Sequence, residues 1–144
     1  MSAKTIEFRL QRTISAPPGE VFDAWLNPKV PGNPWNMAEK LILDAKADGL
    51  FYWAVRGIAH YGRFTEVNRP DGIQHTWVSP STLGEESTVT VTFEKKGKDT
   101  LMTLVHSDLP DTDGGRGHEK GWNYFLGIFP DQFGTPEREQ PWQR

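Results

Sequence analysis

The chain has no cysteine. That removes disulfide staples, thiolate nucleophiles and zinc–sulfur sites from consideration. No apolar run approaches the roughly 20 residues that cross a bilayer, and the opening MSAKTIEFRL lacks the apolar block of a signal peptide. There is no basic surplus either: 16 Lys and Arg stand against 19 Asp and Glu, for a net charge of −3. A groove that follows phosphates needs such a surplus. The expectation is therefore a cytoplasmic protein with no membrane and no nucleic-acid partner. No GxSxG elbow is present and no serine sits in a nucleophile-like context, which speaks against acyl-transfer chemistry of that kind.

What the chain does have is aromatic rings and turn formers. Its 144 residues include six Trp, eight Phe and three Tyr, with 14 Gly and 11 Pro. A domain of this length can bury a core without staples. The Gly and Pro content predicts many short elements, and the aromatic content argues against disorder.

Hydrophobic periodicity places those elements. Thr5 to Ile14 alternates, with Ile6, Phe8, Leu10 and Ile14 on one face, as in a half-buried strand. After Pro17-Pro18, the spacing of Val21 with Trp25 and Phe22 with Leu26 is helical. Pro28, Pro31 and Pro34 then allow at most one broken turn around Val30 to Trp35. Six further strands are predicted at Lys40–Ala47, Leu50–Arg56, Ala59–Val67, Ile73–Ser79, Ser87–Glu94 and Thr100–His106. Asp48-Gly49 reads as the turn of a hairpin. A polar Gly-rich loop, Asp111 to Gly117, leads into an amphipathic helix over His118–Phe129, which Pro130 ends with one irregular turn to Phe133. Strands at hairpin spacing form one antiparallel sheet that curls, and one helix can cover its concave face. The fold class is α+β, with room for a cavity between sheet and helix.

An ordered series of segments carries a family likeness: ISAPPGEVFDAWLNP (Ile14 to Pro28), DGLFYW (Asp48 to Trp53), GRFTEV (Gly62 to Val67), HTW (His75 to Trp77), Ser87 to Pro110, and GWNYFL (Gly121 to Leu126). This series resembles the SRPBCC superfamily, the START and birch-pollen-allergen helix-grip fold. More narrowly it resembles the AHSA-like group named after the activator of the heat-shock-protein-ninety ATPase, in its small stand-alone form. The resemblance implies a curved seven-stranded antiparallel sheet wrapped on a C-terminal helix, two short helices after the first strand, and a hydrophobic cavity between sheet and helix. On that reading residues 1–134 form a single helix-grip domain and 135–144 a loosely attached tail. Members usually carry two glycines where this chain has Asp48-Gly49, and their last helix usually runs on where Pro130 stops this one. The shorter helix leaves one end of the cavity open, or filled by Phe133 or Trp142.

The candidate ligand-binding residues are Trp53, Trp77, Val91, Phe93, Met102, Leu104, His106, Trp122, Phe125, Phe129 and Arg56. The aromatic ones either line a pocket or fill an ordinary core. His106 shares a strand face with Met102 and Leu104, and His75 shares one with Ile73 and Trp77. Each is either a core histidine bonded to a neighbouring carbonyl or hydroxyl, or a polar handle and candidate general base in a pocket. His60 alternates with Gly62 and Phe64, and periodicity does not decide which set faces inward. Arg56 either anchors a ligand carboxylate or ends its strand in solvent. No histidine pair has metal-ligand spacing, so neither a metal nor a cofactor is expected. Gly114-Gly115-Arg116-Gly117 lacks the context of a phosphate loop and reads as a flexible gate beside the helix.

Three functions follow. The first is binding of a small hydrophobic or aromatic ligand between sheet and C-terminal helix. The second is a cyclase- or hydratase-like enzyme in which His106 or His75 moves a proton. The third is an interaction module acting on a chaperone ATPase, as the family's name suggests. A homodimer is a further candidate assembly.

Overall fold

The structure is a computed structural model that describes residues 4–134. The alternating first segment forms strand β1 (Thr5–Ile14), and Pro17-Pro18 redirect the chain into helix α1 (Pro18–Trp25), which buries Val21, Phe22 and Trp25. Proline suits a first helical turn because its missing N–H would have no partner there. The expected broken turn is a 3-10 segment, Pro34–Met37, capped by Asn33 and tied to α1 by the Trp35 indole, which donates to the Trp25 carbonyl at 3.0 Å.

Six strands follow: β2 (Lys40–Leu43), β3 (Leu50–Val55), β4 (Ile58–Asn68), β5 (Gly72–Trp77), β6 (Ser87–Lys96) and β7 (Asp99–Pro110). With β1 they make one seven-stranded antiparallel sheet in the order β1-β7-β6-β5-β4-β3-β2. Helix α2 (Asp113–Ile128) lies against the inner face, and a 3-10 turn, Phe129–Gln132, follows it. The chain forms the expected α+β helix-grip architecture, and the strand order sets β1 beside β7. The core joins α1 and Trp35 to the inward residues of the sheet and to Trp122, Leu126 and Phe129.

The largest departures from the expected boundaries are at β2, β7 and α2. Strand β2 ends at Leu43 instead of Ala47 because the next residues turn on themselves: Lys46 N–H donates to Asp44 O at 2.9 Å and Gly49 N–H to Lys46 O at 2.8 Å. Asp48-Gly49 is thus no simple two-residue hairpin turn, since both residues pair across to Phe64 of β4. Asp48 takes the left-handed φ of 67°, and a Cβ on Gly49 would stand 1.9 Å from Asp44 O. Aspartate tolerates that region better than most residues, so a single glycine suffices. Strand β7 continues past His106 to Pro110 because Asp108, at φ 62°, absorbs one extra residue where the β1–β7 register shifts.

The largest difference is at the start of α2. The Gly-rich segment expected to be a gate loop is the first turn of the helix. Thr112 Oγ1 accepts from Gly115 N–H at 3.0 Å and the Thr112 carbonyl from Arg116 N–H at 2.9 Å. Asp113 sits in the first turn, where its charge opposes the helix dipole favourably. Gly115 is required because a Cβ there would lie 1.9 Å from Pro110 O. Capping and close approach override the low helix propensity of glycine.

Candidate functional site

A cleft of about 380 Å³ opens between α2 and the β3–β5 part of the sheet. Trp53 and Val55 of β3, His60 of β4 and Trp77 of β5 form one wall, and Ser81 stands beside them. The other wall is a single face of α2: Gly114, Gly117, His118, Gly121, Trp122 and Phe125, the i, i+3, i+4, i+7 pattern of one helical stripe. The space exists because glycine stands where a core helix would carry leucine. Cβ atoms on Gly117 and Gly121 would meet nothing within 4 Å.

The sheet wall is built around Trp77. Its ring lies 5.8 Å from Trp53, 5.2 Å from His60 and 5.2 Å from Trp122. His60 stacks on Trp53 at 4.2 Å, nearly parallel at 9°. The register pairs Trp53 with His60 across β3 and β4, so the set His60, Gly62 and Phe64 faces inward. Behind this wall Trp122 Nε1–H donates to His106 Nδ1 at 2.9 Å. His106 Nε2 lies 2.8 Å from Ser87 Oγ, and that hydroxyl donates to Trp77 O at 2.8 Å. Because Nδ1 accepts, His106 is neutral with its proton on Nε2, and both nitrogens are occupied.

Burial sets the charge of the other histidines. It pushes His106 down to about 2, with His118 and His75 adding repulsion. Burial takes His75 down to about 4 against the opposing bond from Nδ1–H to Thr76 O at 2.8 Å. His60 falls to about 4, through burial and then repulsion from His118. His118 is also lowered by burial, while its Nδ1–H donates to the Gly114 and Gly115 carbonyls at 2.9 and 3.2 Å. All four are neutral at pH 7, so no residue lining the cleft carries a charge. Among the described residues no three His, Asp or Glu side chains gather to hold a metal ion.

The family model described as Activator of Hsp90 ATPase homolog 1-like protein matches residues 15–133. The chain belongs to this family. Among solved structures, a protein from Chromobacterium violaceum is 23% identical, with a TM-score of 0.73 over 88% of this chain and 96% of that one. An HSP90 activator from Plasmodium falciparum is 24% identical, with a TM-score of 0.70 over 85% and 91%. A protein from the dynemicin biosynthetic locus is 20% identical, with a TM-score of 0.72 over 92% of this chain and 49% of its own. At these identities the likeness is one of fold. No curated protein matches. No helix among the described residues is long and apolar enough to cross a membrane.

Of the residues singled out from sequence, this AHSA-like fold brings Trp53, Trp77, Trp122 and Phe125 together in the cleft. It places Val91, Phe93, Met102, Leu104 and Phe129 in the core instead. There α1 fills the space between sheet and helix: Phe22 meets Phe93 at 5.5 Å and Trp25 meets Phe129 at 5.0 Å. His106 and His75 stand behind the wall, each almost wholly buried. Arg56, at φ 54°, forms the β3–β4 turn with Gly57, exposed and away from the cleft. Phe133 packs on Phe129 at 5.2 Å; Trp142 and the expected tail lie outside the described residues. Sequence reasoning missed Val55, His60, Ser81, Gly114, Gly117, His118 and Gly121 as lining. The helical spacing of the glycines with Trp122 and Phe125 was the available signal, and reading 111–117 as a loop hid it.

Proposed function

We propose that this protein binds a small hydrophobic, ring-containing ligand in the cleft between the sheet and α2. One observation carries the reading: α2 keeps glycine at 117 and 121, where a Cβ would meet nothing within 4 Å, opposite a wall of Trp53, His60 and Trp77. Glycine in a helix interior costs about 1 kcal/mol relative to alanine, and here that cost maintains an open, uncharged aromatic site. The volume falls within the range of roughly 300–1,000 Å³ used by small-molecule sites. The core around α1 and Trp35 takes no part in it.

The test is equilibrium dialysis with naphthalene against the wild-type protein and a Gly121→Leu variant, which fills the cleft from the open helix face. Saturable binding that falls about tenfold or more in the variant is the expected result. Binding that Gly121→Leu leaves unchanged would place the ligand elsewhere and refute the reading.

A second reading, regulation of a chaperone ATPase by direct contact, draws support from the family and from an apolar row on the opposite sheet face. Ile42, Tyr52 and Tyr61 are register partners across β2, β3 and β4, and Ile42 and Tyr61 are 64% and 49% exposed. Stimulation of such an ATPase that survives Gly121→Leu and is lost in Ile42→Glu/Tyr61→Glu favours this reading over the first.

A further inference from the structure

Three buried side-chain polar atoms lack a hydrogen-bond partner among the described residues: Trp53 Nε1, His60 Nδ1 and Trp77 Nε1. All three belong to the sheet wall of the cleft. Trp53 and Trp77 are more than nine-tenths buried. Buried donors elsewhere in this core are satisfied, as Trp35 and Trp122 illustrate, and a buried donor without a partner is costly. The helix wall supplies the opposite character. His118 gives its Nδ1–H to the Gly114 and Gly115 carbonyls, which leaves Nε2 with a free lone pair in the neutral ring.

The wall therefore offers indole N–H groups, which only donate, and imidazole nitrogens that accept. No lining side chain is cationic or anionic, so nothing there balances a charged ligand. A group that both accepts and donates through one atom, without charge, is a hydroxyl, and a hydroxyl on a ring suits the aromatic walls. We propose that the cleft is selective for uncharged hydroxyaromatic (phenol-type) ligands, whose oxygen accepts from the Trp53 or Trp77 indole and whose hydroxyl hydrogen goes to His118 Nε2. This rests on the ligand-binding reading above and sharpens it. His118, which sequence spacing placed only at the opening of the last helix, becomes the polar anchor of the site, while His106 and His75 support the wall.

The experiment compares three probes that share one ring system on the wild-type protein by equilibrium dialysis at pH 7.5: naphthol, its methyl ether and naphthalene. The ether accepts a hydrogen bond but donates none, and naphthalene does neither. Affinity is expected to rise from naphthalene to the ether and again to naphthol, each step by about two- to tenfold, the net effect of one hydrogen bond. Ordinary hydrophobicity would instead place naphthol last. His118→Phe is expected to bring naphthol down to the level of the ether while leaving naphthalene unchanged. Equal binding of all three overturns the polar selectivity and leaves the aromatic-ligand reading standing. An ether that binds as tightly as naphthol overturns the role of His118. Failure of all three to bind overturns both the selectivity and the reading beneath it.

Discussion

Alanine at positions 117 and 121 separates stability from binding, because the glycines there serve the cleft and not the fold. A Cβ at either position meets no atom within 4 Å, so the substitution brings no clash. Each removes the cost of an interior helical glycine, about 0.8–1 kcal/mol. Gly117→Ala/Gly121→Ala is therefore expected to gain about 2 kcal/mol, since propensity terms sum along a helix and neither Cβ meets an atom within 4 Å. For a domain of this size that raises Tm by roughly 6–8 °C. Two neighbours in the same helix act as controls. Gly127 is equally open but does not line the cleft, and in the fraying last turn its alanine variant gains a few tenths of a kcal/mol with binding unchanged. Gly115→Ala pushes a Cβ to 1.9 Å from Pro110 O and should cost about 2 kcal/mol or more, since backbone must move. Urea unfolding followed by circular dichroism gives the stabilities and equilibrium dialysis with naphthol gives the affinity. The double variant should be more stable and bind more weakly, because two methyl groups enter the ligand's space. A double variant less stable than wild type would refute the assignment of these glycines to the cleft, and so would one that binds naphthol more tightly.

Other outcomes follow from the buried polar groups. His106→Leu should lose about 2–4 kcal/mol in the same unfolding assay, since it strands Trp122 Nε1–H in the core and deprives Ser87 Oγ of its donor; a loss under 1 kcal/mol would mean the relay contributes little. Acid should unfold the protein early. His75 and His106 take up protons near 6.5 when unfolded but only at about 4 and about 2 when folded, so their contribution is complete above pH 6.5 and is lost as pH falls below it. With about 1.4 kcal/mol per pH unit for each group, these two should lower stability by about 2–3 kcal/mol between about pH 6 and pH 5, and His60, also at about 4 when folded, adds to the fall. A flat profile across that interval would contradict their burial as neutral rings. Thr112→Ala removes the cap that accepts from Gly115 N–H and should cost about 1 kcal/mol, with hydrogen exchange accelerating first at Gly115 and Arg116.

Much of the fold was legible because strand alternation is a local property. Thr88, Thr90 and Thr92 against Val89, Val91 and Phe93 need no tertiary information to be read as a strand. The pairing of β1 with β7 was not legible, since nothing in either strand's sequence names its partner. The helix start at Asp113 was missed because five glycines in a 16-residue helix outweigh one capping threonine in any propensity sum.

By itself, the sequence determined an α+β chain without disulfides, basic surplus or long apolar run, rich in inward-facing rings. It could not determine which rings would enclose space. Trp53 and Phe93 have the same signature on a strand, an aromatic on the inner face. One stands opposite glycine across the cleft, while the other meets Phe22 at 5.5 Å. Whether a ring lines a cleft or fills a core depends on what lies across from it. That is settled where α1 and α2 come to rest on the sheet.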